Sequence, residues 1–211
     1  MNVDWVTVGV FQENSYLITD KASRRGVLVD PGDEPARIIS MVRTAGVELD
    51  AIWLTHAHLD HIGAVAAVTR QWNVPVLLHE ADLVLYRRAA QQAAFYGLEF
   101  EQPSDPDGRL HDGDVLTVGA SRFLVRHTPG HAPGHVVFVG DTVMLGGDLL
   151  FAGSIGRTDL PLSNPEAMEQ SLSLVATFDP DLVVYPGHGP ATTIATELAS
   201  NPFLAGARTS T

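Results

Sequence analysis

Three histidines and an aspartate occupy six consecutive positions, His56-Ala57-His58-Leu59-Asp60-His61. An apolar run, Ala51 to Leu54, leads into them, and Ile62-Gly63-Ala64-Val65-Ala66-Ala67-Val68 follows with apolar residues all round. The pattern predicts a strand that ends at the motif and a buried helix behind it, reaching about Trp72. Residues spaced i, i+2 at a strand end point the same way, so His56 and His58 can face one cation. Asp60 and His61 are adjacent and open the helix, so they face elsewhere and suit a second cation close by. A helix N-terminus carries partial positive charge, which an anionic ligand at Asp60 offsets. Asp60 alone could be a helix cap. Three imidazoles this close are harder to explain structurally: protonated they repel, and buried and neutral they need partners.

The same chemistry recurs three times further on. His131 lies in Thr128-Pro129-Gly130-His131-Ala132-Pro133-Gly134-His135, Asp148 in Gly146-Gly147-Asp148, and His188 in Tyr185-Pro186-Gly187-His188-Gly189-Pro190. Each follows a strand pattern and sits beside glycine, on loops of the kind where functional groups concentrate. Five histidines and two aspartates result. Neutral imidazole and carboxylate suit zinc, and also iron or manganese. Two divalent ions sharing Asp148 would each have three or four protein ligands, leaving room for a bridging water.

Strand patterns run over Val3–Phe11, Asn14–Thr19, Gly26–Asp30, Ala51–Leu54, Val74–Leu78, Val115–Val118, Ser121–Val125, Val136–Val139, Val143–Leu145 and Leu182–Tyr185. Helical patterns cover Pro35–Ala45, Glu80–Phe95, Pro165–Phe178 and Thr193–Ala199, and Glu101–Gly113 and Phe151–Pro165 read as irregular. The order is strand-rich then mixed, twice over, which suggests two sheets packed face to face with helices outside. No linker divides the chain, so residues 1–211 are expected to form one α+β domain.

Net charge is −12, and Lys21 is the only lysine beside twelve arginines. Nucleic acid and anionic membranes need clustered basic residues and are poor partners for such a surface. There is no cysteine, so no thiolate ligand and no disulfide. The N-terminus lacks the basic start and apolar run of a signal peptide, and the expectation is a cytoplasmic protein acting on a small molecule. Among the other histidines, His135 and His127 flank His131 and either orient it or serve as packing or turn residues. His79 reads as a core or rim residue and His111 as exposed. The Tyr86–Tyr96 helix reads as core, although Phe95 or Tyr96 could reach the mouth of a site.

The His56–His61 motif, followed in order by His131, Asp148 and His188, resembles the metallo-β-lactamase superfamily over nearly the whole chain. The resemblance implies a four-layer αβ/βα sandwich of two mixed sheets with the metals at their edge. It assigns His56, His58 and His131 to one metal and Asp60, His61 and His188 to the other, with Asp148 bridging. Asp60 and Asp148 are thereby catalytic as well as metal-ligating. The absence of cysteine sets the chain apart from the best-known zinc β-lactamases. Leu149-Leu150-Phe151, Gly156-Arg157-Thr158-Asp159 and Asn201-Pro202-Phe203-Leu204 resemble the short glyoxalase-II-like hydrolases, which lack a C-terminal helical extension. Arg157-Thr158-Asp159 replaces the Lys-aromatic-Tyr stretch of full-length glyoxalase II, and Arg157 becomes the candidate substrate-binding residue.

The activity implied is hydrolysis of an acyl thioester such as S-lactoylglutathione by a hydroxide bridging two metals, whose pKa falls from about 15.7 toward about 7. A thiol pKa near ~8.5 lets the thiolate leave without a strong general acid. The alternatives are a mononuclear-iron persulfide dioxygenase, which the Gly156–Asp159 stretch also resembles, a broad hydrolase with weak lactamase side activity, and a non-enzymatic metal-binding module.

Overall fold

The computed structural model describes residues 1–204. The first half builds β1 (Asn2–Val8), β2 (Glu13–Asp20), β3 (Arg25–Val29), α1 (Pro35–Ala45), β4 (Glu48–Trp53), α2 (Leu59–Ile62), α3 (Val65–Trp72), β5 (Val76–His79), α4 (Leu83–Arg87), α5 (Ala89–Phe95) and β6 (Gly108–Leu110). The second builds β7 (Val115–Val118), β8 (Ser121–His127), β9 (Val136–Val139), β10 (Val143–Gly147), the small hairpin β11 (Leu150–Phe151) and β12 (Ser154–Ile155), α6 (Pro165–Val175), β13 (Val183–Pro186), β14 (Thr192–Thr193) and α7 (Ile194–Ser200). One six-stranded sheet has the order β1-β2-β3-β4-β5-β6, the other β14-β13-β10-β9-β8-β7. Both are mixed: β3 to β6 run parallel, as do β10 and β13, and the remaining pairs are antiparallel.

Apolar burial explains why two sheets of this composition stack. Ile18, Val27, Val29, Ala51 and Trp53 of the first sheet meet Val118, Phe123, Val125, Phe138 and Leu145 of the second in one buried cluster. Trp53 packs edge-on against Phe123 with ring centroids 5.5 Å apart, an arrangement the aromatic quadrupole favours. The outer face of the first sheet carries Leu17, Leu28 and Ile52 against Ile38 and Val42 of α1 and Val65 and Val68 of α3. The outer face of the second carries Met144 and Val184 against Met168, Leu172 and Val175 of α6 and Ile194 of α7. The result is the four-layer sandwich with helices outside. Among the described residues no helix is long and apolar enough to cross a membrane.

Three details depart from the sequence pattern. The helix expected from the metal motif to Trp72 is two, α2 and α3, broken at Gly63-Ala64. The break is tertiary in origin: a side chain at Gly63 would collide with the Gly32 carbonyl, and Ala64 N–H donates to Pro31 O at 2.9 Å. Glu80–Phe95 is likewise interrupted, by a 3-10 turn at Glu80–Asp82 and by Arg88 between α4 and α5. Within the two stretches read as irregular, Gly108–Leu110 adds an edge strand parallel to β5 and Ser154–Ile155 pairs with Leu150–Phe151 in a small hairpin.

Every loop that carries a chemistry-bearing group leaves the carboxyl end of a strand: Asp30 after β3, His56 after β4, His131 after β8, Asp148 after β10 and His188 after β13. Tyr16 ties the two sheets together at this end, its hydroxyl donating to Pro186 O at 2.7 Å.

Candidate metal centre

The loops converge. His56, His58 and His131 form one group whose potential ligand atoms all lie within 4.8 Å of one another, and Asp60, His61 and His188 form a second. Asp148 stands between them. Its Oδ1 is 3.4 Å from His61 Nε2, and its Oδ2 is 3.4 Å from His131 Nε2 and 3.5 Å from His188 Nε2. Asp60 Oδ2 is 3.3 Å from His188 Nε2. The structure thus brings together all seven side chains that the sequence nominates as ligands. Gly187 permits this approach, because a methyl group there would strike Asp148 Oδ1 and the His61 ring.

Hydrogen bonds behind the histidines fix which ring nitrogen faces inward. Thr55 Oγ1 donates to Asp30 Oδ2 at 2.6 Å, so the His56 contact at 3.0 Å runs from the ring Nδ1–H to the hydroxyl. His61 Nδ1 donates to Asp30 Oδ2 at 3.0 Å, His131 Nδ1 to the Arg157 carbonyl at 2.8 Å, and His188 Nδ1 to the Phe11 carbonyl at 3.0 Å. Four of five imidazoles therefore turn Nε2 toward the centre, the arrangement by which outer partners orient metal-binding histidines. His58 turns the other nitrogen inward, its Nδ1 lying 2.8 Å from His131 Nε2. His56 Nε2, His61 Nε2 and Asp148 Oδ1 are buried with no hydrogen-bond partner. Buried polar atoms rarely stay unpaired, and oxygen and imidazole donors aimed at one another fit divalent cations.

Electrostatics differ between the two groups. Burial pushes His56 well below the usual imidazole range, with His61 and His58 adding to it, and burial takes His58 down to about 3. His131 is also lowered by burial, against the pull of Asp148. Burial opposes charge on His188 too, but hydrogen bonds to Asp148 and Asp60 outweigh it and hold the ring at about 10. His61 follows the same logic, with Asp148 and Asp30 overcoming burial and raising it well above the usual value. Burial would raise Asp148, yet His61 and His188 keep it well below the ordinary carboxylate range.

Three buried acids that the sequence reading passed over support the centre. Asp30 takes the left-handed φ of 48° and accepts from Thr55 N–H at 2.7 Å as well as from the Thr55 hydroxyl and His61. Glu13 Oε1 lies 4.0 Å from His61 Nδ1. Asp82 accepts the Ala57 N–H at 2.9 Å through one oxygen and the Gly134 N–H through the other. It thereby joins the two loops that carry His56, His58 and His131. Asp30 was open to discovery by the rule that found the others, since it too ends a strand beside glycine, in Val29-Asp30-Pro31-Gly32.

His135 is buried and its Nε2 accepts the Asp148 N–H at 3.0 Å, so it positions a ligand loop. His127 Nε2–H donates to Pro133 O at 2.9 Å, and the ring stacks on His79 with centroids 4.2 Å apart. His111 is exposed. Arg157 lines the cleft over the centre, with its guanidinium engaged by both oxygens of Asp159. That cleft holds about 740 Å³ and is walled by apolar side chains including Phe11, Leu85, Phe151 and Leu160. The reading of Tyr86–Tyr96 as core holds for Tyr86, which is fully buried, but not for its end. Phe95 and Tyr96 are 84% and 54% exposed and line the same cleft.

A family model described as the metallo-beta-lactamase superfamily matches residues 8–188. The chain is 35% identical over 209 residues to hydroxyacylglutathione hydrolase GloC of Haemophilus influenzae, covering 97% of this chain and 98% of that one. Among solved structures it is similar to TTHA1623 in a di-iron-bound form, at 44% identity and a TM-score of 0.88, covering 95% of this chain and all of the other. It is also similar to the B3 metallo-beta-lactamase BLEG-1, at 34% identity and a TM-score of 0.89, over 97% of this chain and 100% of that one.

Proposed function

The chain belongs to the metallo-beta-lactamase superfamily, and within it we propose a metal-dependent hydrolase of acyl thioesters. In this reading His56, His58 and His131 hold one divalent ion, Asp60, His61 and His188 hold a second, and Asp148 is shared. Zinc suits these donors, and iron is the metal named for the similar TTHA1623 structure. Bound ions would supply an acidified water as nucleophile and a Lewis acid for the substrate carbonyl.

The protein's own contribution is to orient. Asp30, Thr55, Arg157 O and Phe11 O set the imidazole tautomers, and the apolar cleft walls offer a surface for the substrate beside the reacting carbonyl. The choice of thioester rests on one observation: among the described residues Asp60 and Asp148 are the only carboxylates lining the cleft, and both are ligands in this reading. No acid is left over to protonate a poor leaving group, and a thiolate needs none. The similarity to a hydroxyacylglutathione hydrolase points the same way.

The test is to purify the protein, measure metal identity and stoichiometry, and assay S-lactoylglutathione beside a lactoyl thioester of N-acetylcysteamine. Two metals per chain and oxygen-independent thioester cleavage are expected. One iron per chain, with oxygen uptake on glutathione persulfide and no thioester cleavage, would replace this reading with the dioxygenase.

A further inference from the structure

One wall of the cleft is a single face of the α4–α5 segment. Arg88, Gln91, Gln92, Phe95 and Tyr96 all line the cleft, and their spacing of i, i+3, i+4, i+7 and i+8 is that of one helix stripe. α5 buries Ala89 and Ala93 and lies against α2, which carries Asp60 and His61. Chemistry changes along the stripe from a cation through two carboxamides to two aromatic rings. Tyr96 packs edge-on against Phe11 with centroids 5.8 Å apart, and the Phe11 carbonyl accepts from His188, so the aromatic end sits beside the metal centre. Arg88 marks the far end. Its neighbour Arg87 is paired with Asp105, and Arg157 across the cleft with Asp159. Arg88 has no carboxylate partner among the described residues, in a chain whose net charge is −12.

We propose that this face is the substrate-recognition subsite, taking an elongated thiol carrier that bears amides and a terminal carboxylate, with its acyl group against Phe95 and Tyr96. The subsite deepens the thioesterase reading and depends on it only for the identity of the scissile bond. Arg88 binds the carboxylate, Gln91 and Gln92 meet the amides, and the rings cover the apolar group on sulfur. A protonated guanidinium meeting a carboxylate makes a charge-assisted contact of the stronger class, and aromatic plates contribute large apolar area with little rotamer freedom to lose.

Binding of inert thioethers tests this without turnover. S-methylglutathione, S-benzylglutathione and the neutral S-methyl-N-acetylcysteamine are titrated calorimetrically into the metal-loaded wild type and into Arg88→Ala, Arg87→Ala and Phe95→Ala. Arg88→Ala should weaken both glutathione thioethers about tenfold, the size of one charge-assisted hydrogen bond at a half-open site, and leave the neutral probe unchanged. Arg87→Ala should change none of them. Benzyl should bind more tightly than methyl in the wild type, and Phe95→Ala should erase that advantage. Equal affinity of wild type and Arg88→Ala for S-methylglutathione, absence of binding by the wild type, or no benzyl advantage would overturn the proposal. Thioether binding that follows this pattern in a protein without thioesterase activity would instead sink the hydrolytic reading and leave the subsite standing.

Discussion

The two ligand groups sit a few ångströms apart and are built on opposite principles. In the first group the outer ring contacts are to neutral atoms, the Thr55 hydroxyl behind His56 and the Arg157 carbonyl behind His131, and the Asp82 carboxylate meets the loops only through backbone N–H groups. In the second group carboxylates touch the rings directly, Asp30 on His61 and Asp60 on His188. The consequence is electrostatic. The first group disfavours positive charge on its own rings, so its attraction for a cation comes from lone pairs. The second favours positive charge at His61 and His188, where a proton and a metal ion compete for one place. Asp148 sets its carboxylate oxygens against rings of both groups, and that defines how the comparison can be broken.

Asp148→Ala should have the largest effect. It removes the one anionic donor of the first group and the link between the two. Thioester turnover should fall by three orders of magnitude or more, about the loss expected when the electrostatics of a reacting centre are dismantled, and metal content should fall below two per chain. Elemental analysis and initial rates check this; two metals with unimpaired turnover would show that the groups work independently.

Asp30→Asn and Asp82→Asn sharpen the contrast. Asp30 touches His61 directly and His56 through Thr55, so its loss should weaken both metals, each about 10- to 100-fold. Asp82 touches only the loops of the first group, by two backbone N–H bonds on a fully buried carboxylate. Its loss should weaken one metal by a similar factor and spare the other. Cobalt titration followed by visible spectra separates the two outcomes, since one site should saturate normally in Asp82→Asn and neither in Asp30→Asn.

How visible these groups were in the sequence follows from how local their signals are. Four candidate ligands announced themselves as imidazoles and a carboxylate crowded at one strand end, and three more as the same groups beside glycine after later strands. Glu13 and Asp82 gave no such sign: each is one acid in a stretch with an ordinary reading, a turn for Glu13 and a helix start for Asp82. Their meaning comes from partners 48 to 52 residues away, His61 and Gly134. The two-sheet sandwich was legible from the order of strand-rich and mixed stretches, which occurs twice along the chain. The break between α2 and α3 was not, because it is imposed by the Gly32 carbonyl and no propensity records it. The stripe from Arg88 to Tyr96 was visible as a period, but a period does not say whether a face meets core or cleft.

A smaller effect follows from pH. In the second group, metal must displace protons held at His61 and at His188, whose value near 10 lies above the assay range. Its affinity should therefore rise with pH from 5.5 to 8, by about tenfold per unit for each proton displaced. The first group is already neutral there, with His58 near 3 and His56 and His131 below the usual range, so its affinity should be nearly flat above about pH 6. Competition with a chromophoric chelator at several pH values measures both, and parallel slopes would erase the distinction between the groups.

The smallest effect is expected at Arg157, and it bears on how the first group is held. The residue meets the centre through its main chain, since the carbonyl accepts from His131 Nδ1. Its side chain is exposed and spends itself on Asp159, to which it makes two hydrogen bonds of 2.8 and 2.9 Å. Exposed pairs of this kind contribute little. Replacing the side chain by alanine leaves the carbonyl in place, so Arg157→Ala should keep both metals, the same melting temperature and the same kcat. A cleft-lining guanidinium can still attract an anionic substrate, and KM for S-lactoylglutathione should rise by no more than about fivefold, the range of an exposed ion pair. Loss of a metal in this variant would mean that the Asp159 pair, rather than the backbone around it, sets the position of the carbonyl. The first group would then rest on charged contacts after all, and the line drawn between the two groups would disappear.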